Sequence, residues 1–107
     1  MPFYLLQAVY SPAATASLVE HPQHREEVLR NACAALGGKM HHFFYCFGEY
    51  DAMVVAELPS NKEAAALALS AQGSGSLQHH KTTVLLTVDE AIDAMKAAQR
   101  DKYVPPR

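Results

Sequence analysis

Phe43-Phe44-Tyr45-Cys46-Phe47-Gly48-Glu49-Tyr50-Asp51-Ala52-Met53-Val54-Val55-Ala56-Glu57-Leu58 reads as two strands joined by a turn. Aromatic and β-branched residues crowd both halves, and Gly48-Glu49 interrupts them in the middle. The first half extends back to Lys39 and the second runs from Tyr50 to Leu58, so a tight turn returns the chain antiparallel as a hairpin. Pro59 closes it. The second half alternates. Tyr50, Ala52, Val54, Ala56 and Leu58 are mostly small and apolar, and suit packing under helices. Asp51, Met53, Val55 and Glu57 are mixed and fall on the other face.

Upstream of the hairpin, Phe3 to Tyr10 predicts a first strand. Ser11-Pro12 then supplies an N-cap with Pro at the first helical position, opening a helix to about Glu20. His21-Pro22 interrupts it. A second helix is expected from Pro22, where Val28, Leu29, Ala32, Cys33 and Leu36 recur at helical spacing, and Gly37-Gly38 ends it. Downstream, Ser60 and Glu63 form a capping box that opens an Ala-rich helix to about Gln72. Gly73-Ser74-Gly75-Ser76 is a loop, and Leu77 to Leu86 is the last strand. Thr87 and Glu90 form a second capping box, and the helix they open carries Val88, Ala91, Ile92, Met95 and Ala98 as a narrow apolar stripe.

The order strand, helix, hairpin, helix, strand is the split βαβ plan. Right-handed crossovers predict an α+β, ferredoxin-like (βαββαβ) domain with a four-stranded antiparallel sheet in the order 4-1-3-2 and helices on one face. An extra C-terminal helix follows. Residues 1–100 make the single domain and 101–107 a flexible tail. The length of 107 residues fits one domain with a modest core.

Half the residues are hydrophobic and 19% are charged, a globular balance; the net charge of −2 comes without basic or acidic runs. Nucleic acid and anionic membrane surfaces are thereby excluded as partners, because both demand concentrated Lys and Arg. The N-terminus has no basic n-region, and no apolar run approaches a membrane span. Cys33 and Cys46 read as reduced thiols, and a cytoplasmic location is expected.

The stretch Gly37-Gly38-Lys39, the run Phe43-Phe44-Tyr45-Cys46-Phe47-Gly48-Glu49-Tyr50-Asp51, Lys81-Thr82-Thr83 and Asp89-Glu90-Ala91 resemble the GYD-domain family over roughly residues 3–98. The resemblance implies a ferredoxin-like fold related to the dimeric α+β barrel proteins, and assembly of that type. It implies no particular activity. The pairs His41-His42 and His79-His80 stand outside the family pattern.

The sheet face away from the helices is left open, and on a domain this small an open apolar face implies a partner sheet. Homodimerisation or a higher homo-oligomer is expected. By parity the open face takes Phe3, Leu5, Gln7 and Val9 from the first strand, and Met40, His42, Phe44 and Cys46 from the second. It takes Asp51, Met53, Val55 and Glu57 from the third, and His79, Lys81, Thr83 and Leu85 from the last, with Val84 and Leu86 in the core. A bulge in the second strand would reverse part of this assignment.

Apolar walls with a few placed polar groups are how small-molecule sites are built. The expected ligand-binding set is Gln7, Phe44, Met53, Val55 and Thr83. His42, whose charge can change near neutral pH, is the candidate proton-transfer group, with Asp51 or Glu57 holding its tautomer. Two readings stand side by side: a small-molecule-binding or cofactor-independent catalytic domain, and a non-catalytic assembly or regulatory module whose sheet face is only an interface. A metal held between subunits by His42 and His79 is a minor third. No Gly-rich phosphate loop, CxxC or serine elbow is present, and no cofactor is predicted.

Overall fold

The computed structural model describes residues 1–107. Its elements are β1 (Phe3–Tyr10), α1 (Pro12–Glu20), α2 (Glu26–Ala35), β2 (Lys39–Tyr45), β3 (Ala52–Glu57), α3 (Asn61–Gly73), β4 (Leu77–Leu85) and α4 (Val88–Arg100). The sheet order is β2-β3-β1-β4, all pairs antiparallel, which is the expected 4-1-3-2 order read from the other edge.

The alternation in β3 sets the two faces. Ala52, Val54 and Ala56, with Leu58 just beyond, are buried, and they join Tyr4, Met40, Cys33 of α2, and Ala64 and Leu67 of α3 in one core. Burial pushes the Cys33 thiol pKa up, so this cysteine fills space rather than reacts. Tyr4 crosses the core and its hydroxyl donates to Asn61 Oδ1 at 2.6 Å, which ties β1 to the start of α3.

Several boundaries differ from the sequence expectation. The second helix starts at Glu26, not Pro22. The Tyr45 hydroxyl accepts from the Arg25 amide (3.3 Å) and donates to the Gln23 carbonyl (3.0 Å), so side-chain bonds satisfy this backbone where helical ones would have. The hairpin loop is longer than two residues. The Cys46 amide donates to the Asp51 carbonyl (2.7 Å) and the Asp51 amide to the Ala8 carbonyl (2.9 Å), leaving Cys46 and Asp51 outside the strands. Gly37 ends α2 at φ +81°, as a left-handed glycine does. Val84 and Leu86 are not in the core; both are more than half exposed, because β4 is an edge strand. Ser60 caps α3 without a bond to the helix backbone; its hydroxyl donates straight to the Glu63 carboxylate. The box at α4 is reciprocal. Thr87 Oγ1 accepts from the Glu90 amide (3.1 Å), and Glu90 Oε1 accepts from the Thr87 amide (2.9 Å).

The cap bonds make a pH prediction. Hydrogen bonds from Ser60 lower the Glu63 pKa, and bonds from the Thr87 amide and hydroxyl lower that of Glu90, both from the ordinary 4.5. A depressed folded-state pKa means stabilisation present above the unfolded value and lost as pH falls through the folded one. Helical circular dichroism is therefore expected to hold above pH 4.5 and to decline below it. In Glu90→Gln, which removes the charge at every pH, the α4 share of that decline should vanish.

α4 stands away from the rest. None of its residues is buried, and Val88, Ile92 and Met95 of its apolar stripe lie exposed. The radius of gyration is 17.0 Å and the longest dimension 57 Å, against about 13 Å for the radius of a compact chain of this length. Residues 101–107 carry no regular secondary structure, and no helix is long and apolar enough to cross a membrane.

Candidate functional site on the open sheet face

Register fixes which side chains share the open face. Phe3 lies opposite Glu57 and Leu85, Leu5 opposite Val55 and Thr83, Gln7 opposite Met53 and Lys81, and Val9 opposite His79. On the other side of β3, Val55 faces His42 and Met53 faces Phe44. The centre of the face is thus Leu5, Gln7, Met53 and Val55, flanked by Phe44 and His42 on one side and Thr83 and Lys81 on the other.

The register of β2 shifts between Met40 and His42. His41 is the extra residue, a bulge that reverses the chain behind it. Met40 consequently turns into the core, at 5% exposure, instead of the open face. His41 gains the open face beside His42. Its Nε2 lies 2.8 Å from Glu57 Oε1, and both side chains are about three-quarters covered, at 28% and 25% exposure. The Phe3 ring sits 5.5 Å from the imidazole, centroid to centroid. An ionised carboxylate accepts only, so the neutral tautomer of His41 that fits this contact carries its proton on Nε2 and its lone pair on Nδ1.

Glu57 thus orients a histidine, but it is His41 and not His42. His42 is exposed and stacks on Phe44 at 6.2 Å, with no hydrogen-bond partner among the side chains. Asp51 is elsewhere: its Oδ2 accepts from the Tyr10 amide at 3.0 Å, so it braces the hairpin against β1. Cys46 follows it off the open face, into a cleft lined by Tyr10, Gln23, Tyr45 and Asp51. His79 stacks on Tyr50 at 6.1 Å. It lies on β4, with β1 and β3 between it and the His42 strand. One chain cannot bring His42 and His79 together, and no three metal-ligating side chains cluster in it.

His41 was findable. Met40 and Phe43 are both core-directed apolar residues, and three positions apart on a regular strand they point to opposite faces. Only an inserted residue reconciles them.

The main cavities of the single chain lie on the other side of the sheet. One sits between the sheet, α2 and α3, and two lie around Tyr10 at the end of β1; a fourth is a groove between α3 and β4. His80, which borders the first and the last, places its Nε2 2.8 Å from Gln72 Oε1, and its Nδ1 is buried without a partner.

A four-stranded antiparallel sheet in this order, helix-covered on one face, is a ferredoxin-like α+β domain. The GYD domain profile matches residues 4–95, and the chain belongs to that family. No curated protein matches it. Among solved structures it is similar to FFRP-DM1, with a TM-score of 0.52 and 15% identity over 80% of this chain and 100% of that one. It is also similar to the hypothetical protein PHS023 from Pyrococcus horikoshii, with a TM-score of 0.51 and 15% identity over 81% of this chain and 92% of that one. At that identity the likeness shows the fold alone.

Proposed function

We propose that this GYD-domain protein is a small-molecule-binding domain whose open sheet face, closed by a second copy, holds the ligand over the His41–Glu57 pair. The observation that carries the reading is the 2.8 Å contact between these two side chains on an apolar face that one chain leaves uncovered. Leu5, Phe44, Met53 and Val55 form the bed, and Gln7 and Thr83 supply polar contacts. His41 Nδ1 takes a proton from the ligand, and Glu57 holds the imidazole and balances the charge it acquires.

A second reading, a module whose sheet face only assembles copies, is favoured by one specific observation: all four main cavities belong to the helix side and none to this face. Native mass spectrometry of untagged protein from gently lysed cells separates the two. Ligand binding expects a stoichiometric small-molecule adduct on the oligomer, lost in His41→Ala and kept in the exposed control His24→Ala. Once the adduct is identified, turnover in His41→Ala should fall by about a hundredfold or more. An oligomer with no adduct, or one indifferent to His41→Ala, overturns the reading in favour of assembly.

A further inference from the structure

A different part of the molecule shows the features of a binding site independent of the sheet face. Tyr10, half-buried at the end of β1, borders three of the four main cavities. The inner one is a cleft of 70 Å³, lined by Leu6, Ala8, Leu29, Phe43 and Leu77 among others. Its walls are almost wholly apolar, and it exists because alanines (Ala8, Ala52, Ala68, Ala71) stand where larger side chains would fill the core. Tyr10 also borders a space of 160 Å³ with a mixed lining, Gln23, Arg25 and Ser76 with Ala14 and Leu18 among others.

Two groups at this junction are open to a ligand: a cation without an anionic partner and a hydroxyl without a hydrogen bond. The Arg25 guanidinium touches only the neutral Gln23 Oε1, at 3.3 Å, and forms no ion pair. The acidic residues next to it in sequence are committed elsewhere: Glu26 and Glu27 lie 2.9 and 3.9 Å from Arg30. The Tyr10 backbone amide is bonded to Asp51, but its hydroxyl makes no hydrogen bond within the chain. Burial raises the phenol pKa, Tyr45 and Asp51 add to that, and Arg25 opposes it. The hydroxyl therefore stays a donor at neutral pH, and Tyr10 and Arg25 line the same outer space. A partly buried cation that shares a cavity with an unpartnered donor is stabilised by an anion that accepts from both.

We infer that the Tyr10 cleft binds a short aliphatic monocarboxylate, its carboxylate held by Arg25 and the Tyr10 hydroxyl and its hydrocarbon end in the alanine-lined cleft. Three features set this class. The guanidinium fork matches a carboxylate. The inner cleft has about half the volume of a cavity that accommodates benzene, so it takes a short chain and excludes an aromatic ring. Asp51, whose carboxylate borders the adjoining space, repels a second negative charge and selects a monoanion over a dicarboxylate.

The test uses the full chain with butyrate and isovalerate as probes, followed by amide NMR shifts and calorimetry. A ligand this small is expected to bind at about millimolar affinity, with saturable shifts centred on Tyr10, Arg25, Leu29 and Leu77. Arg25→Gln should weaken binding about tenfold or more, and Arg25→Lys should recover part of the loss. Ala8→Leu, which fills the cleft, should abolish it with Arg25 intact; where that variant does not fold, the comparison of butyrate with acetate tests the cleft instead, acetate binding markedly less tightly. Butanol, which lacks the charge, and benzoate and succinate should bind far less. Absence of saturable shifts, equal binding by Arg25→Gln and the parent, or equal shifts from acetate and butyrate would overturn the inference. None of these outcomes depends on His41 or on the oligomeric state.

Discussion

Gly38→Ala is expected to be among the most damaging single-methyl changes in this chain. A Cβ built on Gly38 lands on the Glu57 carbonyl oxygen and 2.6 Å from Leu58 Cδ2. The first is backbone, held where β3 ends, and Leu58 is itself fully buried, so neither yields cheaply. Gly38 is also fixed from behind by its amide, which donates to the Cys33 carbonyl at 2.9 Å. The methyl therefore forces α2 and β3 apart at the point where both enter the core. Overpacking of this kind costs about 3 kcal/mol, at the upper end of its usual range. In a domain of about 100 residues that lowers the melting temperature by roughly 12–24 °C. Thermal denaturation measures it directly, and Gly73→Ala, where the new Cβ meets nothing within 4 Å, is the control that should not lose stability. A Gly38→Ala protein melting within a few degrees of the parent would show that the end of β3 yields to the added methyl.

Gly37-Gly38 shows how far the sequence could be read. Two glycines after a periodic apolar run mark a helix end, and the left-handed φ at Gly37 follows from that. The need for glycine at Gly38 is a through-space contact with a strand about twenty residues on, and no local pattern encodes it. The same division runs through the site. Strict alternation from Ala52 to Leu58 was enough to place Met53, Val55 and Glu57 on the open face and, through the hairpin, His42 and Phe44 beside them. The His41 bulge escaped because parity counting assumes a regular strand, although Met40 and Phe43 together contradicted that assumption. Asp51 and Cys46 were misplaced by counting the hairpin as a two-residue turn; the loop instead turns Asp51 toward the end of β1. Val84 and Leu86 were misassigned because apolar character reports what prefers burial, and at an edge strand the covering surface is absent from the chain itself. Tyr10 stands out in one dimension only as a strand-end aromatic that packs or orients a ligand, and nothing there joins it to Arg25. The two come to line one space because Tyr45 pins residues 23–25 through the Gln23 carbonyl and the Arg25 amide.

The second large effect expected is on assembly. Only nine of the 107 residues are buried, a thin core for a domain that leaves one sheet face bare. Val55 sits near the centre of that face, between Leu5 on β1 and His42 on β2. In a single chain a glutamate there reaches water, and a solvated surface change costs within about 0.5 kcal/mol. Under a second copy the same carboxylate is buried opposite apolar side chains without a partner, at a cost of about 3–5 kcal/mol. Two-fold symmetry applies it from both sides. The dissociation constant is then expected to rise by a factor of about a thousand or more, so that Val55→Glu sediments as a monomer at concentrations where the parent sediments as a dimer or larger. Its circular dichroism should match the parent, because the helix-side core is untouched. Ile92→Asp on the free α4 helix locates the interface: if the sheet face alone associates, this variant stays assembled, and if α4 reaches the second copy, it weakens with Val55→Glu. A parent that sediments as a single chain at micromolar concentration would show that no second copy covers the face, and a Val55→Glu variant that stays assembled would place the contact elsewhere; either outcome removes the covered face from the functional reading. The Tyr10 cleft, on the opposite side of the sheet, should bind its probes unchanged in the Val55→Glu monomer.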